Sequence, residues 1–198
     1  MTDREAYHHG DLRRALLDRA EQVVDAQPDN ELSMRSLAAD VGVSITAPKS
    51  HFQSKADLLS ALAARGFDRL RDATSQPMQG PANQPRAMIE ELAKSYLQFS
   101  QDHPGLYKIM FASGLDHDSD PALQHSSSRA YANLRNCFDQ IFPENDPAET
   151  EKRILAAWAL VHGFATLLNN GPFAKEVRTG TGVEALAEIA AATVFESS

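Results

Sequence analysis

The chain has 198 residues, one cysteine and a formal net charge of −8, with 42% hydrophobic and 23% charged residues. These proportions suit a globular protein of one large domain or a small domain docked on a larger one, and they exclude a disulfide framework within the chain. The acidity does not exclude nucleic acid. Residues 1–75 hold 10 Lys+Arg against 12 Asp+Glu and the remainder 9 against 15, and phosphate binding follows where cations cluster rather than the chain total.

The opening "MTDREAYHHGDLRR" lacks the apolar core of a signal peptide. The most apolar stretch, Ala156 to Leu168, is interrupted by His162 and Gly163 and is shorter than the roughly 20 residues a membrane span needs. The expectation is a cytoplasmic protein with no membrane partner.

Taken in chain order, nearly every segment reads as helix, with no sustained period-two alternation and no hairpin dipeptide. Leu12, Ala15, Leu16, Ala20, Val23 and Val24 recur at three- and four-residue steps and predict a first helix over about 11–26, ended by Gln27-Pro28-Asp29-Asn30. Ser33 is an N-cap for a second helix over about 34–41. Leu32 before it and Leu37 after it have the spacing of a hydrophobic staple. Gly42 supplies a turn, and Ser44 is expected to cap a third helix of about two turns, in which Pro48 is absorbed by a later start near Thr46 or by tightening to 3₁₀ geometry. Ser54 with Asp57 resembles a capping box and opens a fourth helix to about Ala73. The polar stretch "SQPMQGPANQP", with three prolines and a glycine, predicts a loop. Beyond it helices are expected over about 86–101, 104–112, 121–142, 147–170 and 183–195, four of them with a proline at or near the start, where its missing N–H costs little.

Two short helices across a Gly-containing turn, between two longer ones, make a helix-turn-helix. Leu37, Ala38, Val41 and Val43 form the face that locks the pair. Ser33, Arg35, Ser44, Thr46, Lys49, Ser50, His51 and Lys55 put polar or cationic tips towards the groove such a unit would enter. Short-helix pairs also occur in proteins that never touch DNA, so pattern alone leaves the function open.

The segment "LSMRSLAADVGVS…HFQSKADLL" resembles the DNA-binding domain of the tetracycline-repressor-like (TetR/AcrR) regulators, with Gly42-Val43-Ser44, His51-Phe52, Lys55 and Leu58 in register. "YHHGDLRRALLDRA" is similar to one branch of that family. "AAWALVHGFATLLNNGPF" resembles that branch's Trp-His-Gly type of ligand-sensing domain. The resemblance implies an all-α chain of about nine helices. A DNA-binding domain over 1–58 would precede a larger ligand-sensing and dimerisation bundle over 59–198. It also implies a homodimer that binds a palindromic double-stranded operator, more as repressor than activator, and that a small-molecule effector releases. The DNA-binding residues it points to are Arg35, Ser44, Thr46, Lys49, Ser50, His51 and Lys55. In the family the position of Lys49 is usually tyrosine; the proline before it suits the branch, the lysine does not. Lysine substitutes a point charge for ring packing. The alternative is a helical dimeric interaction protein of the same fold with lost or altered operator binding.

Aromatics crowd the C-terminal half. Tyr96, Tyr107, Phe111, Tyr131 and Trp158, with His162, are the candidate ligand contacts, and together they suit an apolar or aromatic effector. His162 is either a polar contact in that pocket or a satisfied interior or interface histidine. Gly163 in mid-helix costs up to about 1 kcal/mol, which close approach of another helix or a ligand would offset. The last two helices carry alanine and large apolar residues on more than one face, as a four-helix seam between subunits requires.

No cofactor, metal or enzymatic activity is expected. His8-His9 has no carboxylate or cysteine cluster beside it. "DHDSD", Asp116 to Asp120, imitates a calcium loop but has Pro121 where glycine belongs and Ser127 where the last acidic ligand belongs. It is better read as an acidic cap on the following helix. His103, Cys137 and His162 form no nucleophile–base signature. Cys137, sharing a helix face with Leu134, Phe138 and Ile141, reads as core.

Overall fold

The computed structural model describes residues 9–75, 84–112, 114–115, 120–170 and 182–196, with no account of the side chains of 9–11 and 170. Among them are eight α-helices, one 3₁₀ turn and no strand: α1 (His9–Ala26), α2 (Met34–Val41), the 3₁₀ turn (Ala47–Ser50), α3 (Lys55–Ser75), α4 (Pro85–Asp102), α5 (Pro104–Met110), α6 (Pro121–Ile141), α7 (Pro147–Asn170) and α8 (Gly182–Glu196). The all-α expectation holds.

Packing divides these elements into two compact units. One lies within 1–66 and 105–124, the other within 67–104 and 125–198.

In the first unit the apolar stripe of α1, Leu12, Leu16, Leu17, Ala20 and Val24, is buried together with Leu37, Ala38, Phe52, Leu58 and Leu62. α2 begins at Ser33, whose hydroxyl accepts from the Ser36 N–H at 3.4 Å. It ends in the left-handed Gly42, φ 78°. There the Gly42 N–H donates to the Ala39 carbonyl and the Val43 N–H to that of Ala38, at 3.1 and 2.9 Å. That pair of reversed bonds is a Schellman motif, which satisfies the last carbonyls of the helix and needs positive φ at one residue. Its register fixes where the following turn leaves α2.

The third element is the four-residue 3₁₀ turn, the tightened form that Pro48 favours, rather than two full turns of α-helix. An α-helix capped by Ser44 would need the N–H of residue 48 for the Ser44 carbonyl, and Pro48 has none. Ala47 takes that carbonyl at 3.0 Å, and Lys49 and His51 bond back three residues, to Thr46 and Pro48. Proline tightens the helix and its ring is buried.

α3 starts at a capping box. The Asp57 N–H donates to the Ser54 hydroxyl at 3.1 Å, while the Asp57 carboxylate accepts from the backbone N–H of Gln53 and Ser54 at 2.9 and 3.2 Å. α5 reaches α1 of its unit through the Leu106 N–H, 2.9 Å from an Asp25 carboxylate oxygen, and the turn after α1 through Lys108, paired with Asp29 at 2.9 Å. Gly105 permits this: a Cβ there would collide with the carbonyl of Val24. Asp120 caps α6, accepting from the Ala122 and Leu123 N–H groups at 2.9 and 3.2 Å; residues 116–119 of the acidic loop lie outside the described residues.

In the second unit α4 packs on α8 and α7. Met88, Ile89, Leu92, Cys137, Phe138, Ile154, Ala191 and Val194 make the core, with Leu134 and Ile141 against it. Cys137 is the small core residue expected of it, and burial pushes its thiol up to about 11. Pro85, Pro104, Pro121 and Pro147 each open a helix, where the absent N–H is one the helix would leave unpaired.

Candidate functional site

Beneath the 3₁₀ turn lies a rigid floor. Pro48 and Phe52 are buried, the Phe52 N–H reaches the Pro48 carbonyl at 2.9 Å, and the Arg13 guanidinium of α1 lies 5.3 Å from the Phe52 ring centroid. Ser44 and Thr46 are exposed with their hydroxyls 3.2 Å apart. Lys49 is exposed, and so is Ser50, whose hydroxyl donates to the Ala47 carbonyl at 2.8 Å. Arg35 stands exposed on the first turn of α2. Neither Lys49 nor Arg35 has an ion-pair partner among the described residues.

Two expected residues are less available. His51 is only partly exposed. Lys55 is paired at 2.5 Å with Glu31, and that hydrogen bond and charge hold the Glu31 carboxyl below the usual carboxylate range. Ser33 spends its hydroxyl on the α2 cap. Sequence reasoning passed over Ile45, between Ser44 and Thr46 and 64% exposed. An isoleucine placed between two hydroxyl residues inside the reading segment was the available clue.

The aromatic candidates fall into two groups. Tyr107 and Phe111 belong to the first unit, their rings 5.0 Å apart. Tyr96, Tyr131, Trp158 and His162 belong to the second and form one chain. The Tyr96 hydroxyl lies 3.0 Å from His162 Nδ1, Trp158 meets both His162 and Tyr131 edge-on, and the Tyr131 hydroxyl donates to Glu151 at 2.5 Å. Glu151 in turn pairs with Arg135. The imidazole of His162 is held below its ordinary pKa because burial disfavours the cation. Sequence reasoning missed Glu151 and Arg135, which are ordinary helix-surface residue types.

Leu155, Trp158 and Leu167 on α7 and Ile189 on α8 are exposed large apolar side chains. A Cβ on Gly163, midway along α7, would meet nothing within 4 Å.

A capped α2, a glycine corner and a short outward-facing turn define the class: a helix-turn-helix protein with a second helical unit. Residues 89–194 match the family model described as "Tetracyclin repressor-like, C-terminal domain". The chain belongs to the TetR family of DNA-binding transcriptional regulators, which are not enzymes. A structure of a protein with unknown function from Rhodococcus sp. RHA1 is 30% identical, covers 98% of each chain and superposes with a TM-score of 0.79. The TetR family transcriptional regulator PfmR from Thermus thermophilus shares the fold at 16% identity, with a TM-score of 0.65 over 91% of this chain and 97% of that one. The nucleoid occlusion factor SlmA of Marinomonas sp. (strain MWYL1) is 27% identical over 131 residues, 66% of this chain, and the match spans 62% of SlmA. Among the described residues no helix is long and apolar enough to cross a membrane.

Proposed function

We propose that the chain is a cytoplasmic repressor that binds a palindromic double-stranded operator as a homodimer and is released by a small apolar or aromatic effector. Residues 1–58 read the DNA and residues 59–198 sense the effector and dimerise. The observation that carries the reading is the exposed set Ser44, Thr46, Lys49 and Ser50, displayed on a turn between the glycine-capped end of α2 and the capped start of α3, with Arg35 exposed on the first turn of α2. Side chains held this way place hydroxyls at base edges and cations at phosphates.

The dimer is supported by the exposed apolar residues of α7 and α8 and by the open space over Gly163, which admits the backbone of a facing helix. The effector is supported by the Tyr96–His162 pair, a polar handle among aromatic rings that suits an aromatic ligand with one hydrogen-bonding group.

The test is operator binding by the full chain across a salt series, with footprinting of the bound duplex. The expectation is palindromic, salt-sensitive protection. Lys49→Ala should reduce the slope of log K against log [salt] by roughly 0.9 for each phosphate that is no longer neutralised. Absence of sequence-selective protection at low salt would reject operator binding.

A further inference from the structure

We infer that Ile45 is a specificity-determining residue that packs on the 5-methyl group of a thymine in the operator's major groove. The inference rests on the operator-binding reading above and adds to it what the turn selects.

Among the described residues five large apolar side chains stand exposed, and four of them, Leu155, Trp158, Leu167 and Ile189, are on α7 and α8. The fifth and most exposed of these, Ile45 at 64%, is at the corner of the reading turn in the other unit. The hydrogen bond from the Ala47 N–H to the Ser44 carbonyl makes Ile45 and Thr46 the two central residues of a tight turn. Pro48 and Phe52 of the same segment are buried while Ile45 is not, so its side chain is left outside the core.

The surroundings restrict what it meets. Ser44, Thr46, Lys49 and Ser50 are all exposed and polar, and the neighbouring Val43 and Ala47 are only partly exposed, so the apolar area at this corner is small and centred on one side chain, too little for a protein partner's hydrophobic core. In a DNA major groove the apolar group that base edges present is the thymine methyl, and aliphatic contact with it distinguishes T·A from the other pairs. The Ser44 and Thr46 hydroxyls are 3.2 Å apart and bond to one another across Ile45, which keeps one O–H and acceptor lone pairs for neighbouring base edges and leaves the apex between them to the apolar side chain.

The experiment starts from the duplex that the full-length protein selects out of a random pool. Its thymines are replaced one at a time by deoxyuridine, which deletes only the methyl group. Wild-type protein should lose about fourfold in affinity at one thymine of each half-site, the transfer free energy of a single methyl. Ile45→Ala should bind more weakly and be indifferent to that replacement, and Ile45→Val should remain sensitive to it. Because Ile45 is exposed, the variants are expected to unfold at the wild-type temperature. Wild-type binding that no thymine-to-uracil replacement weakens, or an Ile45→Ala variant as methyl-sensitive as wild type, overturns the inference and leaves operator binding standing. Failure to select any duplex overturns operator binding itself and the role of Ile45 with it.

Discussion

The Tyr96 hydroxyl meets Nδ1 of His162 at 3.0 Å, joining α4 to the middle of α7 within one unit. Tyr96→Phe deletes this bond, so it should cost about 1–2 kcal/mol in urea unfolding near neutral pH. The same site gives stability a pH dependence. Burial holds the folded-state pKa of His162 below 6.5, so on acidification the unfolded chain takes up the proton first. Its contribution is complete above the unfolded value and falls away as pH drops from there through the folded value. His162→Gln should flatten that decline. Glu31, Asp57 and Asp120, whose carboxyls are held below 4.5, 3.8 and 3.8, act only at lower pH, so the two windows separate.

In the proposed operator complex Glu31 competes with phosphate for Lys55. Its 2.5 Å pair with Lys55 implies that Glu31→Gln raises operator affinity at low salt. The slope of log K against log [salt] should steepen by up to roughly 0.9 per Lys55 released. Electrophoretic mobility shifts over a salt series read both effects.

The reciprocal bonds between Ser54 and Asp57 fix the first turn of α3. Ser54→Ala should destabilise the protein by about 1 kcal/mol, the usual cost of an N-cap hydroxyl. The amides of residues 55–57 should exchange faster with solvent than in wild type.

Two glycines make opposite predictions. Gly105→Ala drives a methyl into the backbone carbonyl of Val24, which cannot rotate away. Overpacking of this kind costs about 1–3 kcal/mol or more, and α5 should become the first site of limited proteolysis. Gly163→Ala meets no neighbour within 4 Å, so the helix should gain up to about 1 kcal/mol in an isolated subunit. In the proposed dimer the same methyl stands where the facing helix comes close. Sedimentation should show dissociation at higher protein concentration than wild type, alongside a raised unfolding midpoint for the monomer.

Helix positions were legible because this chain marks them locally: prolines open α4 to α7, Ser33 and Ser54 cap α2 and α3, and Gly42 ends α2 in the conformation its type favours. The third element was legible only as a choice, a two-turn helix or one started later or tightened to 3₁₀ at Pro48, because one missing N–H decides between them and periodicity does not register it. Pairings were harder still. Nothing in the order of residues says that Glu31 will neutralise Lys55, that Tyr131 will reach Glu151, or that Ile45 will be left outside. Those outcomes depend on which long side chains the fold brings within a few ångströms, and they set the site more than the motif does.

The tightening at Pro48 also limits vocabulary. Four residues of 3₁₀ helix rise about 8 Å, roughly two to three base-pair steps along a duplex. A word that short recurs throughout any genome, where competing sites run to about 10⁶ or more. For a regulator built on this turn, rarity has to come from requiring the word twice at a fixed separation, which makes the geometry between two copies of the chain as much a part of the address as the bases themselves.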